Sequence, residues 1–186
     1  MREILISIKP KWCELIANGK KTVEVRKTKP RLTTPFKVYI YCTKDKERSF
    51  FPPLKKPIFK PMNYVEDVRG NGKVIGEFVC DKIYRISHCG TCNKDIRLRI
   101  VDENLFLKEL NNAYLDKCQL SYSDIKEYSN GSSVYGWNIS NVVIYDIPKE
   151  LSSFFVSGTQ TFDCPPLVKL KRAPQSWCYV GGGADE

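Results

Sequence analysis

The chain has 186 residues, 30 basic and 21 acidic, and a formal net charge of +9. At 42% hydrophobic and 27% charged it has the balance of a folded globular protein, which excludes a disordered or fibrous chain, and the length suits one domain with a proper core. No apolar run approaches the ~20 residues that a membrane-spanning helix needs, and the basic excess favours a polyanionic partner, of which nucleic acid is the commonest, without establishing one.

Glu3–Ile8 reads as a first strand that runs straight from the N-terminus, without a signal-peptide pattern, so a cytoplasmic location is expected. Lys9 and Pro10 end it, and Pro10 can open a helix. Trp12, Leu15 and Ile16 recur at i, i+3, i+4, and Gly19 stops that helix. A charged strand follows to about Lys27, and residues 28–35 form a proline-punctuated loop. Phe36–Cys42 is a clear apolar and aromatic strand.

Residues 43–72 mix Lys44, Lys46, Arg48, Lys55, Lys56, Lys60 and Arg69 with Phe50, Phe51, Phe59 and Tyr64, and keep no period. Such a loop suits a nucleic-acid contact, or is an insertion whose rings fold back on the core. Lys73–Tyr84 reads as one long strand, bent at Gly76. Residues 87–103 read as irregular, Glu103–Tyr114 as helix-like, and Ser121–Tyr128 as a helix capped by Ser121 or Ser123 and ended by Asn130-Gly131. Residues 133–146 form another long strand. Ile147–Leu151 is a loop or short helix, Val168–Lys171 a short strand, and Gln175–Val180 returns to β character. The sum is about six strands with two or three helices, an α+β sheet closing towards a barrel.

The chemistry concentrates in Gly19-Lys20-Lys21-Thr22-Val23-Glu24-Val25-Arg26. Period-two alternation puts Val23 and Val25 on one side of the strand, and Glu24 and Arg26 on the other. Lys21 can lean over the charged side. The three charges either converge on a patch backed by hydrophobic packing or form an ordinary solvated strand face. The spacing Gly19-x-Lys21-x-x-Glu24-x-Arg26, preceded by Leu5–Pro10 and Leu15-Ile16, resembles the ASCH domain family, in its bacterial and phage form. The resemblance is tightest over residues 3–27, with support from Tyr135–Ile139 and from Pro174–Trp177. It implies a PUA-like fold: a partly open β-barrel of about six strands with flanking helices, related to RNA-binding modules.

Read with the resemblance, Lys9, Lys21, Glu24, Arg26, Tyr135, Trp137, Asn138 and Ser140 are the candidate contacts to RNA or a nucleotide-like ligand. Arginine offers a fork to an anion, glutamate can accept from a base amino group, and Tyr135 or Trp137 could stack on a base. Gly136 between them permits close approach of another group. Otherwise the two rings are a core pair. Arg172–Trp177 closes the chain, with Trp177 expected under the first strand and Gln175 and Ser176 as further polar candidates.

Lys21 and Glu24 are the catalytic candidates if the protein is an enzyme, either a ribonuclease or a hydrolase of the N4-acetylcytidine amide. In the latter the family's lysine matches Lys21, but its nucleophilic threonine falls at Glu24, which argues against the same covalent mechanism. Of eight cysteines, Cys13, Cys42, Cys80 and Cys178 read as small buried hydrophobes. Cys89 and Cys92, beside the single histidine His88, supply half a zinc site or are free thiols of a loop. Zinc is the one cofactor considered, and a zinc-stapled interaction protein the third reading. The expected organisation is a single domain over 1–180, with an insertion at about 43–72 and a disordered tail at 181–186.

Overall fold

The computed structural model describes residues 2–51, 69–89, 97–101, 107–156 and 168–181. In chain order the elements are β1 (Arg2–Ile8), α1 (Pro10–Ala17), β2 (Val23–Arg26), β3 (Phe36–Cys42), β4 (Val74–Cys80), β5 (Ile83–Cys89), β6 (Arg97–Val101) and β7 (Leu107–Glu109). Then come α2 (Asn112–Cys118), α3 (Tyr122–Ser129), β8 (Val134–Asn138), β9 (Ser140–Lys149), a 3-10 turn (Leu151–Ser153), β10 (Phe155–Val156) and β11 (Trp177–Gly181). They divide into two compact units. Met1–Ala17, Lys37–Phe78 and Val142–Glu186 make the first, and Asn18–Phe36 with Val79–Asn141 the second.

The first unit holds a six-stranded sheet in the order β10-β11-β1-β3-β4-β9. β1 lies inside it, antiparallel to β11 and parallel to β3, with Ile6 opposite both Trp177 and Ile40. A strand covered on both faces loses the alternation of a surface strand, and Ile4 through Ile8 are all buried. Leu5, Tyr39, Tyr41, Val74, Phe154 and Val180 form one core cluster, in which Tyr39 meets Phe154 edge-on at 4.9 Å. Lys9 follows β1 as an exposed residue, and its carbonyl accepts from the Trp12 and Cys13 amides. α1 buries Pro10, Cys13 and Ile16.

The second unit holds a five-stranded antiparallel sheet, β2-β8-β5-β6-β7. Val23, Val25, Val134, Ile86, Leu98 and Ile100 pack on Tyr114 and Cys118 of α2 and on Ile125 of α3. α3 is fixed at its start by a capping box: the Ser121 hydroxyl accepts from the Asp124 amide, while the Asp124 carboxylate accepts from the Ser121 amide. Asn130 ends it in the left-handed conformation that asparagine tolerates.

The α+β class stands, but the described strands pair as two sheets of six and five in place of one six-stranded sheet closing on a barrel. The stretch 73–84 is two strands, β4 and β5, broken at Asp81-Lys82. The stretch 133–146 is likewise β8 and β9, interrupted at Ile139 and continuing to Lys149. Part of 87–103 is β6, and Glu103–Tyr114 is not a helix across its length, since β7 precedes α2. Val168–Lys171 contributes only an isolated bridge from Lys169 to Phe155. Gly181 ends β11 and so belongs to a strand, while 182–186 and most of the basic loop, 52–68, lie outside the described residues.

Candidate functional site

β2 begins where the chain meets the C-terminal end of α2. The last carbonyls of a helix have no partner within it and carry its negative end. Here the Thr22 amide donates to Lys117 O at 2.9 Å, and the Lys21 ammonium donates to Cys118 O at 2.6 Å. Lys21 is only 2% exposed. Its Nζ also lies 3.4 Å from Glu24 Oε2, and the other carboxylate oxygen, Oε1, is 2.9 Å from the Arg26 guanidinium. The amine, the acid and the guanidinium therefore form one chain of contacts with Glu24 in the middle. Little of it meets water: the Glu24 and Arg26 side chains are 8% and 11% exposed. Buried charge is tolerated only when paired in this way.

Cys118 sits against that cluster. Burial, opposed by Lys21 and reinforced by Glu24, pushes its thiol up to about 12. A thiol held protonated is a poor nucleophile. His88, the chain's single histidine, places Nε2 2.7 Å from Ser129 Oγ. The Ser129 hydroxyl also lies 2.8 Å from Lys126 O, to which it can donate, and the direction of the His88–Ser129 bond follows the imidazole tautomer.

The same face of β2 continues across the sheet. Arg26 lies opposite Tyr135 of β8, and Tyr135 lies opposite Arg85 of β5. Directly opposed residues share a face, so two guanidinium side chains flank one tyrosine across three strands. Lys29 stands 5.9 Å above the Tyr135 ring, within range of a cation–π contact. Arg85 is exposed and its Nε donates to Ser133 Oγ at 3.1 Å. Between Lys20 and Arg31 the chain has six basic residues and one acidic.

The remaining candidates are placed differently. Trp137 is fully buried and meets Phe36 edge-on at 6.0 Å, so its ring is a core ring while Tyr135 is half-exposed. Gly136, on the opposite face, lies directly under the Tyr114 hydroxyl, and a Cβ there would collide with it. The close approach that the glycine permits is thus to a core tyrosine. Asn138 Nδ2 donates to Asp81 at 2.7 Å, and Ser140 Oγ donates to Val79 O at 2.9 Å. Both tie β4–β5 to β8–β9 chain segments within the second unit. Lys9 belongs to the first unit. Trp177 is opposite Ile6, half-buried and edge-on to Tyr179. The Cys89 side chain and Cys92 lie outside the described residues, and among the described residues no group of His, Cys, Asp and Glu is arranged to hold a metal ion.

Sequence reasoning missed Cys118 O, Arg85 and Lys29. The alternation of β5 signals which face Arg85 takes, but only the strand order reveals that Tyr135 lies beside it.

A mixed α+β architecture with a Lys-Glu-Arg cluster at the start of its second strand defines the class. The ASCH domain family profile matches residues 6–148, and the chain belongs to that family. Among solved structures it is similar to an ASCH protein of Zymomonas mobilis, at 17% identity and a TM-score of 0.47 over 95% of this chain and 86% of that one. A tyrosine-to-phenylalanine variant of the same protein gives 16% and 0.49, over 97% and 91% of the two chains. A serine-to-alanine variant gives 16% and 0.48, over 97% and 89%. No curated protein matches the chain. None of the helices in the described residues is long and apolar enough to cross a membrane.

Proposed function

We propose that this ASCH domain binds single-stranded RNA, or a nucleotide-like anion, along the charged face of β2 and the basic row beside it. The observation that carries the reading is the row Arg26–Tyr135–Arg85, with Lys29 above the tyrosine ring. The exposed cations of this row, Arg85 and Lys29, can meet phosphates, and the half-exposed ring of Tyr135 offers a base a stacking face. Glu24 holds Arg26 in place through their ion pair. The net charge of +9 draws a polyanion towards the chain. The PUA-like architecture and a cytoplasmic location belong to this proposal as well.

Binding is favoured over catalysis by what Lys21 already does. A lysine serving as a base needs an accessible, unprotonated amine, whereas this one is buried and donates to a helix carbonyl beside a carboxylate. The hydrolase alternatives would show as turnover of RNA or of N4-acetylcytidine on incubation with the protein.

Titration of a fluorescent single-stranded RNA in rising salt tests the reading. Affinity is expected to fall linearly in log–log form, and Arg85→Gln to make the slope shallower by about one counterion. RNA that does not bind, or binds equally at low and high salt, would refute it.

A further inference from the structure

Beside the basic row, residues of the loop between β2 and β3 and Ile83 of β5 line a half-open cavity of about 220 Å³, with Lys29, Pro30, Leu32, Thr33 and Thr34 from the loop. Ile83 is opposite Trp137, which is opposite Glu24, so Ile83 lies two residues along the strands from the row Arg26–Tyr135–Arg85, on the same face. Its walls are of two kinds. Pro30, Leu32 and Ile83 are apolar and buried or half-buried, while Lys29 and Thr33 are exposed at the rim. Lys29 belongs to both features, since its amine also stands over Tyr135.

We propose that this cavity is a mononucleotide subsite: the base enters between Pro30, Leu32 and Ile83, and Lys29 takes the attached phosphate. The size decides against larger ligands. Sites for drug-sized molecules span ~300–1,000 Å³, so about 220 Å³ holds one planar ring system and leaves the sugar-phosphate outside. Apolar walls with a few polar groups at the edge are the usual composition of such a site. The threonine hydroxyls donate or accept, and so suit the mixed edge of a base. The cation at the rim, continuous with Arg26 and Arg85, selects a base that carries a phosphate over one that does not. The inference rests on the RNA-binding reading for its choice of ligand, and it names where one base of that RNA is held.

The test is calorimetric titration of the full chain with the four ribonucleoside 5′-monophosphates and their four parent nucleosides. At least one monophosphate is expected to bind, and more tightly than its nucleoside. Lys29→Ala is expected to weaken the monophosphate about tenfold while leaving the nucleoside unchanged, as loss of a charged hydrogen bond does. Thr33→Trp, on the exposed loop, fills the cavity and is expected to abolish both. Lys171→Ala removes an exposed charge outside the lining and outside the basic row, and is expected to change neither. If no monophosphate binds, or if Thr33→Trp binds as the parent does, the subsite is overturned. RNA that still binds in a salt-dependent manner to Thr33→Trp without loss would overturn the subsite and leave the RNA-binding reading intact.

Discussion

At Gly136 one missing methyl group decides how a strand and a helix meet. The Tyr114 hydroxyl rests where a Cβ would stand, and Tyr114 packs edge-on to Tyr84 at 5.6 Å. That hydroxyl is buried without a hydrogen-bond partner among the described residues. Gly136→Ala should therefore cost about 1–3 kcal/mol by overpacking, read as a lowered urea midpoint. Tyr114→Phe should be neutral or slightly stabilising, because it removes an unsatisfied polar atom. It should also restore part of what Gly136→Ala loses. Additive costs in the double variant would show that the two positions do not touch.

The Lys21, Glu24 and Arg26 cluster was legible from the sequence because its members are two and three positions apart, at and just before one strand. The partner that fixes Lys21 was not. Cys118 O is 97 residues away, and as a backbone carbonyl it leaves no trace in residue identity.

Among the elements, α2 is the one most coupled to the site, since its last carbonyls are occupied by Lys21 and Thr22. Its buried face carries two groups whose neutral forms the fold favours. Burial raises the Tyr114 phenol, with Cys118 and Tyr84 adding to it, and burial raises the Cys118 thiol to about 12. In the unfolded chain that thiol ionises near 9. Its stabilising effect is therefore complete below about pH 9 and is lost as pH climbs towards 12. The same direction holds for Tyr41 and Cys178, both raised chiefly by burial. Denaturation midpoints should fall from pH 9 upwards, and Cys118→Ala should be weaker at pH 8 but flatter above it. Equal slopes in the two proteins would contradict this account.

The short elements show where sequence patterns run out. α3 was legible from its capping signals, and β1, β2 and β3 from period and composition. The breaks at Asp81-Lys82 and at Ile139 were not, because apolar periodicity continues unbroken when a strand leaves one sheet for another. β6 and β7 are short, and the leucines around them fit a helical period equally well.

The molecule as a whole is threaded. The first unit needs three separate stretches of chain and the second needs two. A fragment of residues 79–141 would keep β5 to β8 but lose β2, and with it Val23 and Val25 from the core. Such a fragment should show little cooperative unfolding by circular dichroism. Addition of a peptide spanning 18–36 should restore some of it. A sharp transition in the fragment alone would mean that β2 is dispensable to the fold. Composition could suggest a folded chain of this size, but not its division, because both units draw on the same ordinary mixture of residues.

The position of β1 has a consequence during synthesis. This strand is translated well before one of its two neighbours, β11. Until then the nascent protein exposes an apolar, unpaired backbone edge to whatever lies nearby. A cell making this chain quickly would depend on holdase chaperones, and slow or cool expression should raise the soluble yield.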